Sequence, residues 1–224
     1  IAIYGAGTIG ACQATLTSGN GYSTVVIGHS EEGLSRCRNT MLQNWNDLIA
    51  QKLATAANRR AAMDLVTITN DVSALRDCDI VFEAVSEDVN IKQRVYSIIT
   101  EVCGRDIIVV STTSSIDAAI LAEKIENPAR FLIAHPFQPV HMLPLVEVVR
   151  HTETSEETLN QVCTLLKDLN RQVVMLNRSV PGFLVNRFAQ ALFRESIYLI
   201  EQGITTAADI DRAIKYAVGM RYAS

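Results

Sequence analysis

Residues 1–16 read IAIYGAGTIGACQATL, and the order of parts in that stretch decides the fold. A β-branched and aromatic run, IAIY, leads without a spacer into G-A-G-T-I-G, and a helical pattern follows from Ile9. Glycines at 5, 7 and 10 have separate uses there. Gly5 makes the tight turn, Gly7 lets the backbone approach a pyrophosphate, and Gly10 lets helix pack on strand. The backbone of Gly5, Gly7, Thr8, Ile9 and Gly10 then offers amides and the positive end of a helix to a phosphate. Three glycines alone also suit a chance turn, so the reading depends on what comes after them.

What comes after is alternation. TVVI (24–27) precedes a long helical stretch through Glu32 to Leu53; VTIT, DIVFEAV, DIIVV, RFLIAH, LVEVV and QVVML follow as short strand-like runs, most separated by helical patterns. Such alternation implies βαβ units. The fold expected is α/β, a Rossmann-type, mainly parallel sheet with helices on both faces. After QVVMLN the pattern changes: SVPGF is a turn-like junction, and LVNRFAQALFRESIYLIEQG and TAADIDRAIKYAVG are helical with no strand between them. The boundaries expected are a nucleotide-binding domain at 1–179 and the start of an all-helical domain at 180–224. Thr206 with Asp209 reads as a helix start, and Gly203 and Gly219 read as helix stops. The chain begins inside a strand without an initiator methionine and stops at RYAS without a capping signal, so both ends read as cut.

Composition sets the partner class. Of the 224 residues, 48% are hydrophobic and 20% charged, with a net charge of -4, which opposes a nucleic-acid or anionic-membrane partner and favours a small molecule. No window approaches ~18 consecutive apolar residues, and no signal segment opens the chain, so the cytoplasm is the location expected. The five cysteines (Cys12, Cys37, Cys78, Cys103, Cys163) are far apart and read as reduced packing thiols.

A dinucleotide fold places an acidic residue ~20 positions beyond the glycines to hold the ribose hydroxyls. Here VVIGHSEE puts His29 in that place. Two readings stay open: an NADP site, with His29 and Ser30 donating to a 2′-phosphate and Arg36 or Arg38 nearby, or an NAD site holding ribose through Ser30 or backbone groups. Glu31 and Glu32 oppose the first. Within DIVFEAVSED and its sequel, Glu83, Glu87 and Lys92 are candidates for the cofactor side, against a plain alternative of surface ion pairing.

AHPFQPVHMLPLVEVV (134–149) keeps a histidine and a glutamate in otherwise β-like apolar surroundings interrupted by three prolines. His135 ends a late strand at the side where ligands bind, and an imidazole suits removal of a hydroxyl proton near neutrality. Glu147, on the next strand, is placed to accept from the other ring nitrogen. The rivals are an ion pair that only closes the domain and a metal site from His135, His141 and Glu147. Ser114 in STTSSI offers a hydroxyl to a substrate oxygen, against a helix-capping role. Asn186 in PGFLVNRF, early in the first helix of the second domain, offers an amide, against capping or interhelical bonding.

The ordered set GAGTIG, EAVSED, STTSS, AHPFQPVHMLPLVEVV, PGFLVNR and ADIDRA resembles the 3-hydroxyacyl-CoA dehydrogenase family across the whole chain. The resemblance implies a Rossmann domain, a helical domain that mediates homodimers, and NAD as cofactor. It implies that His135 is the base, Glu147 its partner, Ser114 and Asn186 substrate contacts, and Glu87 and Lys92 cofactor-side groups. Two positions depart from the family pattern: Gln138 replaces the usual asparagine of H-x-F-N-P, and His29 replaces the ribose acid. GMRYAS resembles the lambda-crystallin branch, which includes L-gulonate dehydrogenase, and there Arg221 would receive a free carboxylate. The leading expectation is hydride transfer between NAD(P) and the 3-hydroxyl of an L-3-hydroxyacyl-CoA. The alternatives are the same chemistry on a free gulonate- or carnitine-like acid, and a non-catalytic, crystallin-like nucleotide-binding protein.

Overall fold

The β-branched runs become strands: β1 (Ala2–Tyr4), β2 (Thr24–Ile27), β3 (Val66–Thr69), β4 (Ile80–Glu83), β5 (Ile108–Ser111), β6 (Phe131–Pro136), β7 (Leu145–Arg150) and β8 (Gln172–Leu176). They form one sheet in the order β3-β2-β1-β4-β5-β6-β7-β8. Every neighbouring pair is parallel except β6 with β7, so the mainly parallel sheet expected from the sequence is what forms. The structure, a computed structural model, describes residues 1–222, and the chain divides into two compact units, Ile1–Pro181 and Gly182–Ser224.

In the first unit the helices are α1 (Thr8–Gly19), α2 (Glu31–Ala50), α3 (Ala56–Asp64), α4 (Val89–Cys103), α5 (Ala118–Ala122) and α6 (Glu156–Asp168). Alternation along the strands divides their side chains between two faces. Ile3, Val26, Phe82, Val110, Leu132, Ala134, Val146 and Val148 share a core with Ala11 and Ala14 of α1, Cys37 and Met41 of α2, and Val162 of α6. Residues one step along each strand face the other way. There Tyr96 of α4 packs on Phe131, ring centroids 5.7 Å apart. Glu83, Ser111, His135 and Glu147 all fall on this second face, because Glu83 pairs with Ser111, Ser111 with Ile133, and His135 with Glu147. A row of polar groups thus lies on the α4 side, toward the carboxyl ends of β4, β5 and β6. β1 has β2 on one side and β4 on the other, the switch point at which a doubly wound sheet opens a crevice.

Two helical boundaries differ from those read in the sequence. The stretch expected to run to Leu53 stops at Ala50; Lys52 takes φ 60°, and Thr55 then caps the separate α3 by accepting from the Asn58 amide. In the second unit, α7 (Val185–Glu201) ends as read, with Gly203 at φ 67°, and Thr206 accepts the Asp209 amide to open α8 (Ala207–Ala213). Gly219 does not stop a helix: a π-helical turn at Ile214–Val218 runs straight into α9 (Gly219–Tyr222), and Gly219 keeps a right-handed φ of -60°. A glycine ends a helix by turning left-handed, and this one does not. Among the described residues no helix is long and apolar enough to cross a membrane.

Candidate active site

The glycine turn is built as a cradle. Gly5 has φ 130°, and a Cβ there would collide with the carbonyl oxygen of Ala84 just beyond β4. A Cβ on Gly10 would collide with the carbonyl oxygen of Gly5. At Gly7 nothing lies within 4 Å of where a Cβ would stand, so the backbone there faces open space. Gly7 is also the N-cap of α1 and supplies no side-chain cap, which leaves the first helical amides for a ligand. Tight packing behind and open space in front fit a bound pyrophosphate.

At the end of β2, His29 is exposed and Ser30 is the N-cap of α2, its Oγ accepting the Gly33 amide at 3.2 Å. Arg36 is engaged with Glu32 at 2.5 Å on the exposed face of the same helix, and Glu31 accepts from Asn70.

Beyond β4 the plain alternative of surface pairing fails for Glu83 and Lys92. Glu83 is 0% and Lys92 1% exposed. Lys92 Nζ donates to Glu83 Oε1 at 2.8 Å and lies 3.2 Å from Glu87 Oε2. Glu87, partly exposed, in turn accepts from Thr113 Oγ1 at 2.5 Å, the Ser114 amide at 3.0 Å and the Ser115 hydroxyl at 3.2 Å. Burial works against the charge of Glu87, but the Thr113 hydroxyl, the Lys92 ammonium and the Ser114 amide outweigh it and hold the carboxyl below its usual range. The serines of STTSS are not the cap of the following helix; Asp117 caps α5, accepting the Ala119 amide. Ser114 instead sits over Glu87, its Oγ 3.4 Å from Oε1.

His135 and Glu147 are direct cross-strand partners on β6 and β7. His135 Nδ1 lies 2.8 Å from Glu147 Oε2, both groups are buried, and the His135 ring packs against Phe137 with centroids 4.7 Å apart. With Nδ1–H donating to the carboxylate, the basic lone pair belongs to Nε2. The metal alternative does not assemble: His141 lines a separate cleft with Trp45, Asn58 and Arg171, and no metal-holding cluster of His, Cys, Asp or Glu occurs among the described residues. Gln138, exposed on the loop after β6, turns its Nε2 to Cys12 Sγ of α1 at 3.5 Å. Asn186 is the second residue of α7, and Arg221 lies in α9, both in the second unit.

Sequence reading missed Tyr96 and Ser111. Tyr96 OH and Ser111 Oγ each donate to Glu83 Oε2 at 2.8 Å. Burial, with the field of Glu83, pushes the Tyr96 phenol up, so it remains a donor. The available signal was local: Lys92 and Tyr96 are four apart on one helix and so share a face.

Comparison with known proteins fits this geometry. Residues 1–179 match the 3-hydroxyacyl-CoA dehydrogenase NAD-binding domain, and residues 182–224 the C-terminal domain of the same family. An L-carnitine dehydrogenase of Bacillus cereus is 31% identical over 224 residues, covering 100% of this chain and 68% of its own. A 3-hydroxyadipyl-CoA dehydrogenase of Escherichia coli is 31% identical over 220 residues, covering 98% of this chain and 46% of its own. The crystal structure of FadB2 from M. tuberculosis superposes with a TM-score of 0.92 at 30% identity, over 97% of this chain and 77% of that one. The chain belongs to the 3-hydroxyacyl-CoA dehydrogenase family, oxidoreductases with an NAD-binding domain.

Proposed function

We propose that the protein transfers hydride reversibly between NAD and C3 of an L-3-hydroxyacyl-CoA. The observation that carries the reading is the buried His135–Glu147 pair, with His135 near the carboxyl end of β6 in the same sheet whose β1 ends in the glycine cradle. When bound, the nicotinamide supplies the hydride acceptor in one direction and the hydride in the other. His135 Nε2 takes the 3-hydroxyl proton as the carbonyl forms, and returns it in reduction. Glu147 holds Nδ1–H, which fixes the tautomer and stabilises the imidazolium that forms. Ser114 and Asn186 take the substrate carbonyl by the family pattern, and Glu87 with Lys92 stands on the cofactor side.

NAD is preferred to NADP because Glu31 and Glu32 occupy the first turn of α2, and Arg36 is already paired with Glu32. A 2′-phosphate would meet this negative charge at the start of α2. A second reading, a free 3-hydroxy acid as substrate, is favoured by the relatives named L-carnitine dehydrogenase and by Arg221 as a carboxylate receiver.

Absorbance decay of NADH and of NADPH, each with acetoacetyl-CoA and with a free 3-keto acid, tests both readings. The result expected is oxidation of NADH by acetoacetyl-CoA, with kcat/KM at least about tenfold above that for NADPH, a difference of ~1.4 kcal/mol. Turnover of the free keto acid alone would select the second reading. Arg221→Met would then raise KM for that acid.

A further inference from the structure

Glu83 is not exposed at all, yet its carboxylate accepts four hydrogen bonds. Oε1 accepts from Lys92 Nζ at 2.8 Å and from the Val85 amide at 2.9 Å; Oε2 accepts from Tyr96 OH and Ser111 Oγ, both at 2.8 Å. A carboxylate has about four lone-pair sites, and here all are used. The donors come from different parts of the fold: the β4 turn itself, α4 and β5. Two structural paths lead outward from this point. One is the Ala84–Val85 turn, pinned by the Val85 amide and lying directly behind Gly5, where an added Cβ would strike it. The other is Lys92, which spans from Glu83 to Glu87, and Glu87 gathers Thr113, Ser114 and Ser115.

We propose that Glu83 is a positioning residue for the reaction: through Lys92 it fixes Glu87, and through Glu87 it orders the Thr113–Ser115 turn that carries Ser114. This rests on the reading of Glu87 and Ser114 as crevice groups. Lys92 is a buried ammonium between two carboxylates, and its position is a balance between them. With Glu83 neutral, Lys92 has a single charged partner, Glu87, and draws it away from the hydroxyls and amide it holds. Glu83 touches neither nucleotide nor substrate in this scheme, and its effect reaches them only through the chain of contacts.

The test is a double-mutant cycle between Glu83→Gln and Glu87→Gln, read by NADH affinity and by amide exchange at Ser114, with thermal stability followed separately. Glu83→Gln is expected to weaken NADH binding about tenfold and to speed Ser114 exchange by a similar factor. The double variant is expected to be no worse than the poorer single one, because both act along one path. Tyr96→Phe, which loosens Glu83 without removing its charge, serves if Glu83→Gln does not fold; it is expected to weaken NADH binding about threefold, again without adding to Glu87→Gln. A loss of stability with unchanged affinity and exchange, or effects that add to those of Glu87→Gln, would overturn the proposal and leave Glu83 a packing group. If the unaltered protein binds no NADH, the cofactor reading fails, and Ser114 exchange still decides whether Glu83 governs the turn.

Discussion

His135→Gln is expected to lower kcat by ~10²–10⁴, the usual worth of a positioned general base, while NADH affinity stays within about twofold. Glutamine keeps a donor that can face Glu147 Oε2, so the buried carboxylate is not stranded, but it has no basic nitrogen. The change therefore removes proton transfer while preserving the cross-strand contact. Steady-state kinetics on the folded variant, with cofactor binding measured by fluorescence, is the check. Near-normal turnover would assign the proton to another group. A loss confined to stability would leave the pair as the closure of two strands.

The second large effect concerns the glycines, which are expected to divide sharply. Gly10→Ala places a methyl against the Gly5 carbonyl, a backbone atom that cannot move without shifting the first turn of the fold. Overpacking of this kind costs about 1–3 kcal/mol or more, so Tm should fall and cofactor binding with it. Gly7→Ala meets no neighbour, and Gly7 has an extended backbone that alanine adopts readily. Its Tm should be unchanged while NADH binding weakens at least about tenfold, because the methyl stands where the pyrophosphate must approach. Thermal melts beside NADH titrations separate the two outcomes. Equal affinity of Gly7→Ala and the unaltered protein would contradict the cradle.

The succession of strands along the chain and their mainly parallel pairing were legible because each strand is a short β-branched run and the glycine turn stands between the first strand and helix. The break at Ala50 was not, because Lys52 carries the positive φ there, and a lysine in that conformation leaves no mark in the sequence. Gly219 misled for the converse reason: the residue permits a stop but does not compel one. Around the site, His135 and Glu147 were visible as polar residues in apolar strands, and their register follows from antiparallel pairing. The network under Glu83 was hidden because its partners lie up to 28 residues away, on another strand, and only the folded sheet brings them together.

Hydride transfer at C3 is tested most directly by isotope. The protein is incubated with acetoacetyl-CoA, and separately with a free 3-keto acid, in the presence of NADH deuterated at the transferable C4 position, and the product is examined by mass spectrometry. One deuterium at C3 of the hydroxy product, with no product from His135→Gln on the same timescale, is the result expected. Bound NADH with no labelled product from either substrate class would contradict the assignment of this site to 3-hydroxy dehydrogenation.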